Sequence, residues 1–126
     1  MGSEIVIAED DETTREVVEF NLTEKGWDVV AFPDGDECWE HLETRASDPP
    51  DLVVLDVMMP ELDGVSILER IRGHDALVDL QVVMLTSRNR EEDIVQALDA
   101  GADDFVAKPF SEAELVGRIA RVLDEA

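Results

Sequence analysis

Leu52-Val53-Val54-Leu55-Asp56-Val57-Met58-Met59-Pro60-Glu61-Leu62-Asp63-Gly64 is the stretch whose reading decides the fold. Four apolar residues in a row end on a carboxylate, and a loop punctuated by Pro60 and Gly64 follows. An unbroken apolar run of this length fits a strand covered on both faces, as at the centre of a parallel sheet, where alternation is not required. Asp56 then stands at the carboxyl end of that strand. In open α/β sheets ligands bind at that end, where the strand order reverses, so an acid there is a candidate nucleophile or metal ligand.

Upstream, Glu4-Ile5-Val6-Ile7-Ala8 leads into Glu9-Asp10-Asp11 and repeats the pattern of a strand with acids at its tip. The spacing predicts a first helix from about Thr13 to Lys25, with Val17, Val18, Phe20 and Leu22 as its apolar stripe and Gly26 as its stop. Trp27 to Phe32 reads as the second strand, and Pro33-Asp34-Gly35 turns into a second helix through Cys38, Trp39 and Leu42, with Trp39 packed on the sheet. Ser47-Asp48-Pro49-Pro50 breaks that helix before the central strand.

Downstream, Asp63-Gly64 reads as a turn without chemistry, and Val65, Ile67, Leu68 and Ile71 mark a third helix ended near Gly73. Leu80 to Leu85 is the fourth strand, with Thr86 and Ser87 as the first polar residues beyond it. Asn89-Arg90-Glu91-Glu92 opens a fourth helix carrying Ile94, Ala97 and Leu98, stopped at Gly101. Phe105-Val106-Ala107 is a brief fifth strand that delivers Lys108, followed by Pro109. Ser111-Glu112-Ala113-Glu114 is a capping box for a fifth helix with the apolar face Leu115, Val116, Ile119, Val122 and Leu123. Five strands alternating with five helices predict one doubly wound α/β domain over residues 3–126.

The 126 residues suit a single domain, and no apolar run is long enough to span a bilayer. No secretory signal precedes the first strand, so cytoplasmic residence is expected. The single Cys38 forms no internal disulfide or thiolate cluster and reads as a small core residue. Charge is the unusual quantity: 32 Asp and Glu against 10 Lys and Arg give a formal net charge of -22, which makes nucleic acid and anionic membrane poor direct partners. Self-repulsion on this scale disfavours a compact state unless salt screens it, so the economical expectation is halophilic adaptation, with an acidic protein of an ordinary cell as the alternative. Refolding at low and molar salt separates the two, and equal stability in both removes the first. His41 and His74 read as surface residues, not as phosphocarriers or ligands.

The strand tips collect Glu9 and Asp10 from the first strand, Asp56 from the third, Thr86 from the fourth and Lys108 from the fifth. Three crowded carboxylates repel one another, which a hard divalent cation relieves; with oxygen donors and no His or Cys, Mg²⁺ is the natural choice. A hydroxyl and an ammonium opposite the acids suit a phosphoryl group. Asp56 would attack phosphorus while Thr86 and Lys108 hold the transferred group.

These residues, taken together and in order, resemble the receiver domain of two-component response regulators over essentially the whole chain. The resemblance is carried by Glu9-Asp10, by the segment from Asp56 to Gly64, by Thr86-Ser87, and by Gly101-Ala102-Asp103-Asp104-Phe105-Val106-Ala107-Lys108-Pro109-Phe110. It implies the flavodoxin-like strand order 2-1-3-4-5, an aspartyl phosphate formed on Asp56 from a histidine kinase or phosphotransfer protein, and a signalling module rather than an enzyme. It implies Mg²⁺ held by Asp10, Asp56 and the backbone carbonyl of Met58, with Glu9 acting through water. Lys108 would pair with the phosphoryl group, Thr86 would swing toward it and Phe105 would turn inward, with Pro109 as the family's cis proline. The surface of the fourth helix, fifth strand and fifth helix would change, and homodimers formed on phosphorylation through that face, and a fused or separate effector, follow as family options; an unphosphorylated monomer is expected.

Three features depart from the family pattern. Glu9 stands where many members have Asp, Phe105 stands where others have Tyr and so has no hydroxyl to donate, and Met58 and Arg88 occupy variable positions that influence hydrolysis of the phosphoryl group. Two readings compete with the signalling module. A Mg²⁺-dependent aspartyl phosphatase would want a second acid two residues after Asp56, where Met58 stands. An interaction module that never carries phosphate is opposed by the intact acids, hydroxyl and lysine.

Overall fold

The computed structural model describes residues 2–87 and 91–124. The elements run β1 (Glu4–Ala8), α1 (Glu12–Glu24), β2 (Asp28–Phe32), α2 (Gly35–Thr44), β3 (Leu52–Asp56), α3 (Gly64–Arg72), β4 (Gln81–Ser87), α4 (Glu91–Asp99), β5 (Asp104–Lys108) and α5 (Glu112–Val122). The strands pair in parallel in the order β2-β1-β3-β4-β5. The fold is therefore the doubly wound, flavodoxin-like sheet flanked by five helices, with its strand order reversing between β1 and β3.

Alternation along the strands divides the core in two. Ile5, Ile7, Leu52, Val54, Val83, Leu85 and Val106 pack beneath α1 and α5, against Val18, Leu22, Leu115 and Ile119. Val6, Ala8, Val53, Leu55, Val82 and Met84 face α2, α3 and α4, against Cys38, Leu42, Ile67, Leu68, Ile71 and Ala97. Burial on both faces is what the unbroken apolar run of β3 requires. Helix starts are set locally: Asp11, Asp34, Asp63 and Ser111 each accept the backbone N–H three residues on, an arrangement worth about 1 kcal/mol per helix.

The structure departs from the sequence reading in several places. Val17 and Phe20 do not face the core, being 44% and 63% exposed, because Val18, Asn21 and Leu22 fill the α1 seam. β4 continues through Thr86 and Ser87, which pair with Ala107 and Lys108; backbone pairing with β5 does not depend on side-chain polarity. Asp63 and Gly64 form the cap and first residue of α3 rather than a plain turn. Trp39 is partly buried on the core beneath α2 and α3, with its ring edge-on to His74 and the Arg70 guanidinium 5.8 Å from its centroid. His41 is half-buried, its ring 4.9 Å from Phe32 at the end of β2, so it is not a plain surface residue. Cys38 is the expected core residue, with burial pushing its thiol up to about 12. Arg88, Asn89 and Arg90 lie outside the described residues. Among the described residues, no helix is long and apolar enough to cross a membrane.

Candidate functional site

Residue parity decides which tips meet. Glu9 continues the alternation of Ile5 and Ile7, its N–H bonded to the Phe32 carbonyl at 3.1 Å. Asp56 continues Leu52 and Val54, and Lys108 continues Val106, so all three side chains belong to the α1 and α5 side of the sheet. Lys108 Nζ lies 2.8 Å from Glu9 Oε1 and 3.2 Å from Asp56 Oδ2. Asp10, one residue past Glu9, is exposed at the rim, and carboxylate oxygens of Glu9, Asp10 and Asp56 converge within 4.8 Å of one another.

The remaining lone pairs are held by backbone. Met58 N–H donates to Asp56 Oδ1 at 3.1 Å, and Asp11 N–H donates to Glu9 Oε2 at 3.1 Å. Arg15 Nη1 donates to the Glu9 carbonyl at 3.0 Å. The loop after Asp56 is drawn in by Val57 N–H on the Leu85 carbonyl and Gly64 N–H on the Val57 carbonyl. Gly64 is required here by close approach, since a Cβ would collide with the Asp56 carbonyl oxygen. Glu61 takes a φ of 67° beside the site, with Leu62 N–H bonded to the Pro60 carbonyl at 2.8 Å.

Thr86 and Phe105 fall on the opposite parity, toward α4. The Thr86 side chain is buried, and among the described residues its hydroxyl reaches the Ser87 carbonyl, at 3.5 Å, the outer limit of a hydrogen bond. It is therefore near the acids in the sheet but not among the groups that converge on Asp56. Phe105 is half-buried. Met58 presents its thioether to solvent at the mouth of the loop, 51% exposed. The Lys108–Pro109 peptide is cis.

Electrostatics mark the same spot. Burial pushes the Glu9 carboxyl up, the neighbouring Asp56 adds to this, and Lys108 and the Asp11 N–H oppose it. Burial on its own would pull Lys108 down, but the hydrogen bond to Glu9 and the charges of Asp56 and Glu9 outweigh it and hold the ammonium above its ordinary value. Among the described residues, three carboxylates made of hard oxygen donors converge beside the Lys108 ammonium. That donor set fits Mg²⁺. Arg15, the Asp11 amide and Gly64 were not foreseen as supports: Arg15 looks like a solvated charge in α1, and only its place one turn beyond the acids hinted otherwise.

The comparisons agree with this geometry. Residues 5–120 match the family described as response regulator receiver domain. The transcriptional regulatory protein CseB of Streptomyces coelicolor is 44% identical over 119 residues, which is 94% of this chain and 48% of that protein. The chain spans about half the length of the curated relatives it matches. Among solved structures, the signal receiver domain of a signal transduction histidine kinase from Syntrophus aciditrophicus has a TM-score of 0.87 at 33% identity, covering 98% of this chain and 91% of that one. The receiver domain of sensor histidine kinase PA1611 from Pseudomonas aeruginosa PAO1, with a magnesium ion coordinated in its active-site cleft, has a TM-score of 0.85 at 29% identity, covering 99% of this chain and 100% of that one.

Proposed function

The chain belongs to the response regulator receiver domain family, and on that premise we propose that Asp56 is the residue that accepts the phosphoryl group, within a receiver domain spanning residues 3–126. The family's chemistry is Mg²⁺-dependent phosphorylation of aspartate in two-component signalling, with a histidine kinase or phosphotransfer protein as the donor. The observation that carries the assignment is the convergence of Glu9, Asp10, Asp56 and Lys108 at the switch point of the sheet.

An Asp56 carboxylate oxygen attacks the phosphorus of the donor phosphohistidine. The new O–P bond forms as the P–N bond breaks, and the imidazole leaves with the electron pair. Met58 N–H and Lys108 hold the two Asp56 oxygens, so the carboxylate is oriented before the donor arrives. Glu9, Asp10, Asp56 and the Met58 carbonyl would hold Mg²⁺, which neutralises and orients the anionic group when bound. Lys108 then exchanges a carboxylate partner for a phosphoryl oxygen. Thr86, with its hydroxyl so weakly committed, turns toward that oxygen. Phe105 shares the face of Thr86 and follows it inward, altering the surface of α4, β5 and α5.

Docking of the donor belongs to the same proposal. A groove of about 380 Å³ lined by Thr13, Thr14, Val17, Lys108, Pro109 and Phe110 adjoins the site, and the exposed Val17 and Phe20 extend an apolar strip along α1. A donor seated there faces Asp56. Phe20→Asp should slow transfer from a histidine kinase and leave labelling by acetyl phosphate unchanged; loss of both would mean that Phe20 serves the fold instead. Cytoplasmic residence, phosphorylation-linked dimers through α4, β5 and α5, and an effector in the same or another chain complete the reading.

The deciding experiment is intact mass after incubation with acetyl phosphate and Mg²⁺, beside Asp56→Asn and a metal-free control. One added phosphoryl group, seen only in wild type with metal, is the expected result. Labelling that survives in Asp56→Asn would move the acceptor elsewhere.

A further inference from the structure

Phe105 has no hydroxyl with which to hold a position, yet its ring is held. β5 is an edge strand, with Asp104 toward α5 and Phe105 packed against the opposite core. Arg118, on α5, reaches round that open edge. Its guanidinium carbon lies 5.5 Å from the Phe105 ring centroid, Nη1 donates to Asp104 Oδ1 at 3.1 Å, and Nε lies 3.7 Å from Glu114 Oε2. One cation is thereby tied to α5, to β5 and to the ring on the other face of the sheet.

We propose that Arg118 is a positioning residue that clamps the Phe105 ring in its present half-buried place and so opposes the phosphorylation switch. The inference rests on the phosphoacceptor reading of Asp56 and on the switch role of Phe105. A guanidinium over a ring face is attracted by the negative face of the ring. If the ring moves inward, that attraction is lost unless Arg118 follows, and Asp104 and Glu114 restrain it. A partly exposed contact of this kind is worth about a two- to five-fold bias in the population of the clamped state. Asp104 is not orphaned when Arg118 is removed, because the Phe105 N–H donates to Oδ1 at 2.8 Å and Arg121 Nη2 lies 3.4 Å from Oδ2. The clamp can therefore be removed without opening a hole in the fold.

A ligand that favours the switched state binds more tightly when the opposing state is weakened. Fluoroberyllate with Mg²⁺, standing in for the phosphoryl group, is the probe, titrated against wild type, Arg118→Gln and Arg118→Lys, and against the same variants combined with Phe105→Leu. Arg118→Gln should tighten binding about two- to five-fold, and Arg118→Lys, which keeps charge but loses the planar guanidinium, should fall between. Both differences should vanish with Phe105→Leu. In ligand-free protein carrying fluorophenylalanine, the Phe105 resonance, assigned by its loss in Phe105→Leu, should shift in Arg118→Gln toward its fluoroberyllate-bound position. Unchanged affinity, or equal tightening without the Phe105 ring, overturns the clamp alone. Wild-type protein that binds no fluoroberyllate overturns the phosphoacceptor reading and the clamp with it.

Discussion

At the amino end of the sheet acids are paired with arginines, whereas at the carboxyl end, among the described residues, carboxylates crowd together. Arg45 meets Glu4 through two bonds of 2.8 and 3.1 Å and caps the Asp48 carbonyl, while Asp51 accepts the Glu4 N–H. Arg72 reaches the carbonyls of Gly101, Val78 and Leu80 as well as Asp103, whose carboxylate also takes the Val82 N–H. Arg45 accordingly holds the Glu4 carboxyl below its usual range, against the opposing effect of burial. At the other end three carboxylates share one ammonium, and Glu9 is pushed the opposite way. The same residue types secure the fold at one edge and leave the other poised for a cation and an anion that the chain does not itself supply.

The largest test of this contrast is Arg72→Ala. It would leave at least two part-buried carbonyls, those of Gly101 and Leu80, without the guanidinium, and Asp103 without its cation, holding only the Val82 N–H. The expected loss is about 3 kcal/mol, read as a lower urea midpoint at unchanged slope, with Asp56 still phosphorylated. A loss below about 1 kcal/mol would show water replacing the guanidinium easily, and the amino end would no longer be the securing edge.

Next in size is the effect of metal on stability. Mg²⁺ at a hundredfold excess over its dissociation constant should raise the unfolding free energy by about 2.7 kcal/mol, and Asp10→Asn should lose most of that increment because Asp10 is an exposed ligand that bears little on the fold. The pH dependence has a defined sign. Glu9 is held above its ordinary value, so the folded protein keeps this proton at a pH where the unfolded chain has released it. The destabilising contribution of Glu9 is thus fully present above its folded pKa and fades as pH falls toward the unfolded value. Protons and Mg²⁺ compete there, so the metal increment should shrink through the same window. The difference between wild type and Glu9→Gln isolates it; a difference that grows in the opposite direction would mean that Lys108 dominates the site.

The sequence made the carboxyl end readable and the amino end opaque, for physical reasons. Acids directly after apolar runs, at Glu9-Asp10 and Asp56, combine two strong local signals, and the lysine after the fifth run completes them. Arg72 gives no such signal: an arginine in the last turn of a helix is favoured by the helix dipole alone, and its carbonyl partners have no side-chain identity to read. Val17 and Phe20 obey helical spacing, yet the neighbours of α1 cover Val18, Asn21 and Leu22 instead. Polarity at Thr86 suggests a strand end at Leu85, but the partner strand decides where a ladder stops. The assignments that failed depended on what lies across from a residue rather than on what lies beside it.

The smallest test concerns backbone strain, which also divides unevenly between the ends. Asp124, with a φ of 59°, follows Leu123, the cap of α5, where the left-handed conformation is an ordinary way to stop a helix. Glu61, with a φ of 67°, ends no helix; it is the centre of a tight turn closed by the bond from Leu62 N–H to the Pro60 carbonyl, in the loop between Met58 and α3. Glu61→Gly removes the clash of Cβ with the backbone but restores freedom to the unfolded chain, so the net gain should be about 0.5 kcal/mol. Urea midpoints settle the sign. A stabilised variant with unaltered phosphorylation would make the strain a by-product of chain reversal, whereas a stabilised variant that labels more slowly would tie the turn to the placement of the Met58 amide on Asp56.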